Sequence, residues 1–294
     1  MRETARPLKL KRARFVLPHP VARVLNRRHV NSPLQEFAKW IVPYHIWNRL
    51  RQKRLDASRA RQLATAPPAR TGDYSCDAAI DFLASIGCDR PQVVAGSMPQ
   101  SSLDYARTFI PPDAQRGLHV GNFVGVSLAY FIHALGGGDA VVTAIDPNIM
   151  HRGIANPSAK VLALLSRFGL EKGCLLVTGY SLERNVANDG RDYAGGFAAD
   201  AFSTEASCAN ALPHLARIAP AGFDFAVMDG NHDGTYLRRE LREVATLLRP
   251  GGVLVLDDVS SEWFEIERVY ADLDAPAFEK LGTDGRVGVL RKNA

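Results

Sequence analysis

The sequence predicts an α/β fold: a seven-stranded, mostly parallel sheet with helices between its strands and a terminal antiparallel hairpin. Three observations carry that expectation. From Gly117 onward, short apolar runs alternate with amphipathic helical stretches, as in strands joined by crossover helices. Glycines punctuate the changes from one to the other, at Gly121 and Gly125, at Gly136-Gly137-Gly138, at Gly169 and at Gly251-Gly252. Near the end, Asp284-Gly285 separates two strand-like runs and is a strong hairpin signal.

The elements follow in order. Residues 73–115 supply helices near Ser75–Ile86 and Gln100–Phe109, the second stopped by Pro111-Pro112. Leu118–Val120 is a short strand, and Val126–Leu135 a helix ended by three glycines. Ala140–Ile145 is a strand, Ala159–Phe168 a helix, Cys174–Thr178 a strand and Ser207–Ile218 a helix. Phe223–Met228 is a strand. In the Thr235–Leu248 helix, Leu237, Leu241, Val244, Ala245 and Leu248 share one face. Val253–Leu256 is apolar throughout, as a strand buried on both faces is. A helix near Glu262–Leu273 leads to the strands Phe278–Gly282 and Arg286–Arg291.

Composition separates an arm from a body. The 294 residues are 46% hydrophobic and 23% charged, ordinary for a soluble globular chain. The net charge of +5 hides an asymmetry. Residues 1–70 hold 17 Lys and Arg against 3 Asp and Glu, a net of +14, so the remainder carries −9. Residues 1–72 therefore read as a basic N-terminal arm with a linker at Ala64–Gly72, and residues 73–294 as the folded domain, with a helical lead-in at 73–116 and the core at 117–294. Within the arm, Phe37, Trp40, Ile41, Tyr44, Trp47 and Leu50 recur at helical spacing among Arg and Lys. Such a stripe either docks on the body or on a second subunit, giving a homo-oligomer, or lies on an anionic or membrane surface. No apolar run approaches the ~20 residues of a membrane span. Cys76, Cys88, Cys174 and Cys208 are scattered, which suits neither a disulfide framework nor a zinc site. The expected location is cytoplasmic, with membrane-peripheral attachment through the arm as the variant.

The chemistry gathers at strand ends. In a parallel sheet the carboxyl ends of the strands share one edge, where ligands bind. Gly121-Asn122-Phe123-Val124-Gly125 joins the first strand to the first helix, leaving open backbone and free helical N–H groups including Ser127. Asp146 ends the next strand, where a carboxylate commonly holds ribose hydroxyls. The nicotinamide fingerprint G-x-G-x-x-G is absent, which favours a nucleoside without pyrophosphate. Asp229 and His232 follow the Phe223–Met228 strand, and Asp257-Asp258 follows Val253–Leu256. Adjacent carboxylates repel unless a cation compensates. Mg²⁺ on Asp229, Asp257 and Asp258 would suit them, and would lower the pKa of a substrate hydroxyl.

With those residues in view, 117–294 resembles a class I S-adenosylmethionine-dependent methyltransferase. The matching pieces are Leu118 to Gly125, Thr143 to Asp146, Phe223 to His232, Leu248-Arg249-Pro250-Gly251-Gly252 and the closing hairpin. The resemblance implies S-adenosyl-L-methionine as cofactor. Gly121, Asn122, Phe123, Gly125 and Ser127 would lie under its methionine part, Asp146 on the ribose, Gly179-Tyr180-Ser181 at the adenine, and Asp229 beside it. The carboxylate pattern is similar to that of metal-dependent sugar O-methyltransferases of the macrocin type. That likeness implies a small-molecule hydroxyl acceptor such as a saccharide, catalytic roles for Asp229 and for His232 as general base, and ligands at Asp229, Asp257 and Asp258. His119 and Gly179-Tyr180-Ser181 depart from the family, which places acidic residues at both points. Asp233 is a backup base, and the polar stretch Glu183 to Glu205 is expected to be a flap over the acceptor. The competing readings are a non-catalytic binding protein on the same fold and a nucleic-acid methyltransferase guided by the arm.

Overall fold

A computed structural model describes residues 74–136, 140–183, 209–273 and 277–294. The chain divides between Leu63 and Ala64 into two units, and all of these residues belong to the second. The basic arm, its aromatic stretch, the linker and the expected flap beyond Glu183 lie outside the described residues.

The sheet has seven strands among the described residues: β1 Arg116–Val120, β2 Val141–Asp146, β3 Cys174–Thr178, β4 Phe223–Met228, β5 Leu248–Leu256, β6 Phe278–Thr283 and β7 Gly288–Lys292. Their spatial order is β3-β2-β1-β4-β5-β7-β6. The first five run parallel, and β7 pairs antiparallel with both β5 and β6. The helices are α1 Cys76–Ser85, α2 Arg90–Ala95, α3 Gln100–Arg107, α4 Val126–Ala134, α5 Pro157–Phe168, α6 Ala211–Ile218, α7 Gly234–Leu247 and α8 Phe264–Ala271. From β1 the chain builds outward to β3, then returns to lay β4 on the other side of β1. The crevice between β1 and β4 is therefore the switch point at which open α/β sheets bind ligands.

Both faces of the sheet are buried, which is why its strands read as continuous apolar runs. Along β4, Phe225 and Val227 pack into one core with residues of α1, α3, α4 and α5. Ala226 and Met228 pack into the other with residues of α6, α7 and α8. Phe225 is fully buried, and its ring fills the space above Gly117, where a Cβ would lie 2.3 Å from it. Truncating Phe225 to Ala would cost about 3–5 kcal/mol. Among the described residues no helix is long and apolar enough to cross a membrane.

Several element ends shift by a few residues, as where α6 starts at Ala211, not Ser207, and three further local outcomes differ from the sequence reading. Strand β5 starts at Leu248, not Val253: Leu248 pairs with Phe223 before a register shift, so the Arg249-Pro250-Gly251-Gly252 segment lies within the irregular part of the strand. Helix α2, with proline in its first turn and an Asp89 cap on the Gln92 N–H, was too short to show a period. Strand β7 starts at Gly288, not Arg286. Asp284 Oδ1 accepts the N–H groups of Arg286 (2.9 Å) and Val287 (2.8 Å), holding both in the turn. The Arg286 side chain then reaches the ends of the parallel strands.

Candidate active site

The crevice is made by a close approach. Gly121, at φ +76°, follows β1, and a Cβ there would stand 1.9 Å from the carbonyl oxygen of Asp229. Only glycine lets the ends of β1 and β4 meet this way. Asp146 at the end of β2 then fixes the loop. Its Oδ2 accepts the N–H groups of Asn122 (3.1 Å) and Phe123 (3.2 Å), and its Oδ1 accepts that of Asn148 (2.8 Å). Phe123 is held at φ +45°, in the left-handed region. Burial pushes the Asp146 carboxyl up to about 6, and its three N–H partners offset only part of that rise.

A cleft of about 910 Å³, open mouth included, lies along these strand ends. Of the residues expected at the cofactor, Gly121, Phe123, Asp146, Gly179, Tyr180, Ser181 and Asp229 line it. Asn122, Gly125 and Ser127 are not in its wall. Asn122 is buried, with its backbone on Asp146; Gly125 begins α4 against Val161. Ser127 Oγ meets His119 Nε2 at 3.0 Å inside the fold. Burial drives the His119 imidazole down to about 3, so it is a neutral core histidine facing helix α4.

The chemical end sits beside the same cleft. Asp229, His232 and Asp258 each bring a potential ligand atom within 4.8 Å of the others. His232 Nε2 lies 2.6 Å from Asp258 Oδ2, and the imidazole stacks on Trp263 at 4.0 Å between centroids. Asp258 is at φ +60°, a conformation aspartate tolerates better than most residues. Asp257 is not in the trio. Both of its oxygens are held by Arg286, Oδ1 by Nε at 2.8 Å and Oδ2 by an Nη at 2.9 Å. The same guanidinium lies 2.8 Å from Asp258 Oδ1. The structure thus gathers Asp229 and Asp258 with His232 and gives Asp257 an arginine partner.

Charge explains the strain in this cluster. Desolvation raises the Asp229 carboxyl well above its ordinary range, and the charges of Asp257 and Asp258 raise it further. Asp257 is raised by burial and by Asp258, against the pull of Arg286. Burial works against the charge on Arg286, but its bonds to Asp257 outweigh that and hold it protonated. Three carboxylates against one guanidinium leave two negative charges to be met by protons or by a bound cation.

Four residues of this region escaped the sequence reading: Arg286, Trp263, Tyr236 and Glu240. Glu240 was detectable in principle, because it lies on the apolar face of α7, three residues after Leu237 and four before Val244. Arg286 carried no such signal. Asp233, considered as a backup base, is the N-cap of α7 and accepts the Tyr236 N–H at 2.7 Å. Asn231 Oδ1 accepts the Asp233 N–H at 2.8 Å.

Comparison with known proteins bears on the family and the fold. Residues 118–259 match the sequence model of a family described as a methyltransferase domain, Methyltransf_24. Among solved structures, the fold is similar to that of the S-adenosylhomocysteine-bound methyltransferase PaMTH1 of Podospora anserina, with a TM-score of 0.50, 12% identity, and 86% of this chain and 98% of that one covered. At that identity the likeness is one of fold. The O-methyltransferase TomG of Streptomyces achromogenes, involved in tomaymycin synthesis and solved with S-adenosylmethionine, aligns with a TM-score of 0.48 and 17% identity, over 76% of this chain and 91% of that one. No curated protein matches the sequence.

Proposed function

We propose that the chain, whose residues 118–259 match a methyltransferase-domain family model, is an S-adenosylmethionine-dependent methyltransferase that methylates a hydroxyl oxygen of a small molecule, with His232 as general base. The observation that carries this reading is the His232–Asp258 contact of 2.6 Å, His232 itself lining the cleft. A carboxylate on one ring nitrogen orients the imidazole and stabilises its protonated form. When bound, S-adenosylmethionine would supply the methyl group from its sulfonium and depart as a neutral thioether. His232 would take the proton of the acceptor oxygen as that oxygen gains the methyl group. Asp258 stabilises the imidazolium, and Trp263 holds the ring in plane.

The donor set fits a hard divalent cation such as Mg²⁺. Asp229 and Asp258 would hold it, with His232 in reach, and the two uncompensated negative charges favour it. Bound there, it would polarise the acceptor oxygen and lower its pKa. Asp257 instead anchors Arg286 and fixes the position of Asp258. Two vicinal hydroxyls of a saccharide are the acceptor type that such a cation would suit. A second reading, favoured by the 4.8 Å clustering, makes His232 a ligand and not the base.

The test is transfer of labelled methyl from S-adenosylmethionine to a panel of sugars and phenols, with and without chelator. Labelled ether product on a hydroxyl supports the reading. Transfer only to nitrogen or carbon acceptors, or none from a protein that binds the cofactor, removes it.

A further inference from the structure

One wall of the cleft holds a carboxyl that the methyl-transfer chemistry does not use. Glu240 lies on α7, is 1% exposed, and lines the cleft together with Ser181 and Tyr236. Its Oε1 accepts a hydrogen bond from Ser181 Oγ. Its Oε2 is buried with no hydrogen-bond partner among the described residues. A buried carboxyl oxygen without a partner is costly, on the order of 1–3 kcal/mol or more. Such a group in a cleft wall points to a ligand that completes it.

The layout of the sheet says which part of the ligand. Across the strand ends the cleft takes Ser181 from β3, Asp146 from β2, Gly121 from β1 and Asp229 from β4. The reacting groups stand at β4 and β5, so the sulfonium belongs there. A molecule stretched from that point across β1 and β2 brings its nucleobase to β3. Ser181 and Tyr236 meet at 3.2 Å at that end, and Ser181 bonds Glu240. The segment after β3 carries no acid of its own. Helix α7 delivers one to the same place.

Resting on the cofactor reading above, we propose that Glu240 reads the purine: its Oε2 accepts a hydrogen bond from the 6-amino group of adenine. Burial pushes the carboxyl up to about 8, Ser181 and the charge of His232 opposing that rise only in part; an amino donor on Oε2 favours the ionised form, so the preference is read above that pH, where the carboxylate can only accept. A 6-oxo purine turns an acceptor toward the carboxyl where adenine offers a donor. A purine with hydrogen at position 6 offers neither and adds no bulk.

The experiment is calorimetric titration of the full chain with S-adenosylhomocysteine, S-inosylhomocysteine and the 6-unsubstituted purine analogue, repeated with Glu240→Gln. The wild-type protein should bind the adenine ligand on the order of 10–100-fold more tightly than either analogue, the ratio expected for one unpaired buried group. Glutamine keeps the size and can donate to a 6-oxo group, so Glu240→Gln should bring the adenine and hypoxanthine ligands within about threefold of each other. Wild-type protein that binds all three alike overturns the proposal and leaves the cofactor reading standing. So does a folded Glu240→Gln that keeps the full preference. Should the variant fail to fold, the wild-type ratio with the unsubstituted purine decides alone. Wild-type protein that binds none of the three removes the cofactor reading, and this proposal with it.

Discussion

Arg286→Met tests the electrostatics of the strand-end cluster. The guanidinium holds both oxygens of Asp257 and one of Asp258, whose side chains are 2% and 7% exposed. Methionine keeps most of the length and removes the charge, leaving two buried carboxylates facing each other. Removing one partner of a buried pair costs about 3–5 kcal/mol. For a domain of this size that is a fall in Tm of roughly 6–20 °C. The effect must depend on pH. Asp257 is already raised above its ordinary value, so it takes up a proton more readily folded than unfolded. That disadvantage is absent below the ordinary aspartate value and grows as pH rises through the folded value. Losing Arg286 raises the folded value further, so the deficit should be small near pH 4 and larger at pH 8. Urea denaturation at both pH values measures it, and Asp257→Asn in the Arg286→Met background should recover most of the loss. A single variant within about 1 kcal/mol of wild type at pH 8 would refute the buried-pair reasoning.

Other outcomes follow from single residues. His232→Ala should leave cofactor affinity within about threefold and lower turnover by on the order of 10²-fold or more. Retained metal content in that variant marks His232 as base, and lost metal content marks it as ligand, by metal analysis after dialysis. Gly121→Ala should yield protein that melts far below wild type or does not fold, because its Cβ would stand 1.9 Å from the Asp229 oxygen; a normal melt would contradict the close approach. Asp146→Asn turns one acceptor into a donor facing backbone N–H groups and should cost about 1–3 kcal/mol of stability, read by thermal melts. Glu240→Gln should gain on wild type as pH rises, without ligand. The wild-type carboxyl is pushed from 4.5 to about 8, so its native state loses stability across that window while glutamine does not titrate. A stability difference that stays constant from pH 4.5 to 8 would contradict a buried titrating carboxyl.

The scaffold was legible because both of its signals are local. Crossover helices with apolar stripes and strands buried on two faces leave a pattern that one residue's neighbours reveal. The β3 and β4 limits Cys174–Thr178 and Phe223–Met228 coincide with the sequence reading. The strand-end rule then placed Asp146 and Asp229 in the cleft wall. What sequence could not give was orientation at the next level. Asp257 and Asp258 are neighbours, but in an extended chain successive side chains diverge, and the left-handed Asp258 sends its carboxylate to His232 while Asp257 meets Arg286. Arg286 is 29 residues from Asp257, and only the closing hairpin joins them. Glu240 left one signal, its place on the apolar face of α7, but its partner Ser181 is 59 residues away and only the fold brings the two together.

The most direct measurement is a crystal structure of the full chain with S-adenosylhomocysteine bound. The account requires the thioether sulfur beside Asp229 and His232, the ribose at Asp146, and the purine against Ser181 and Glu240. A nucleoside bound in the reverse direction, or anywhere but the crevice between β1 and β4, would contradict it.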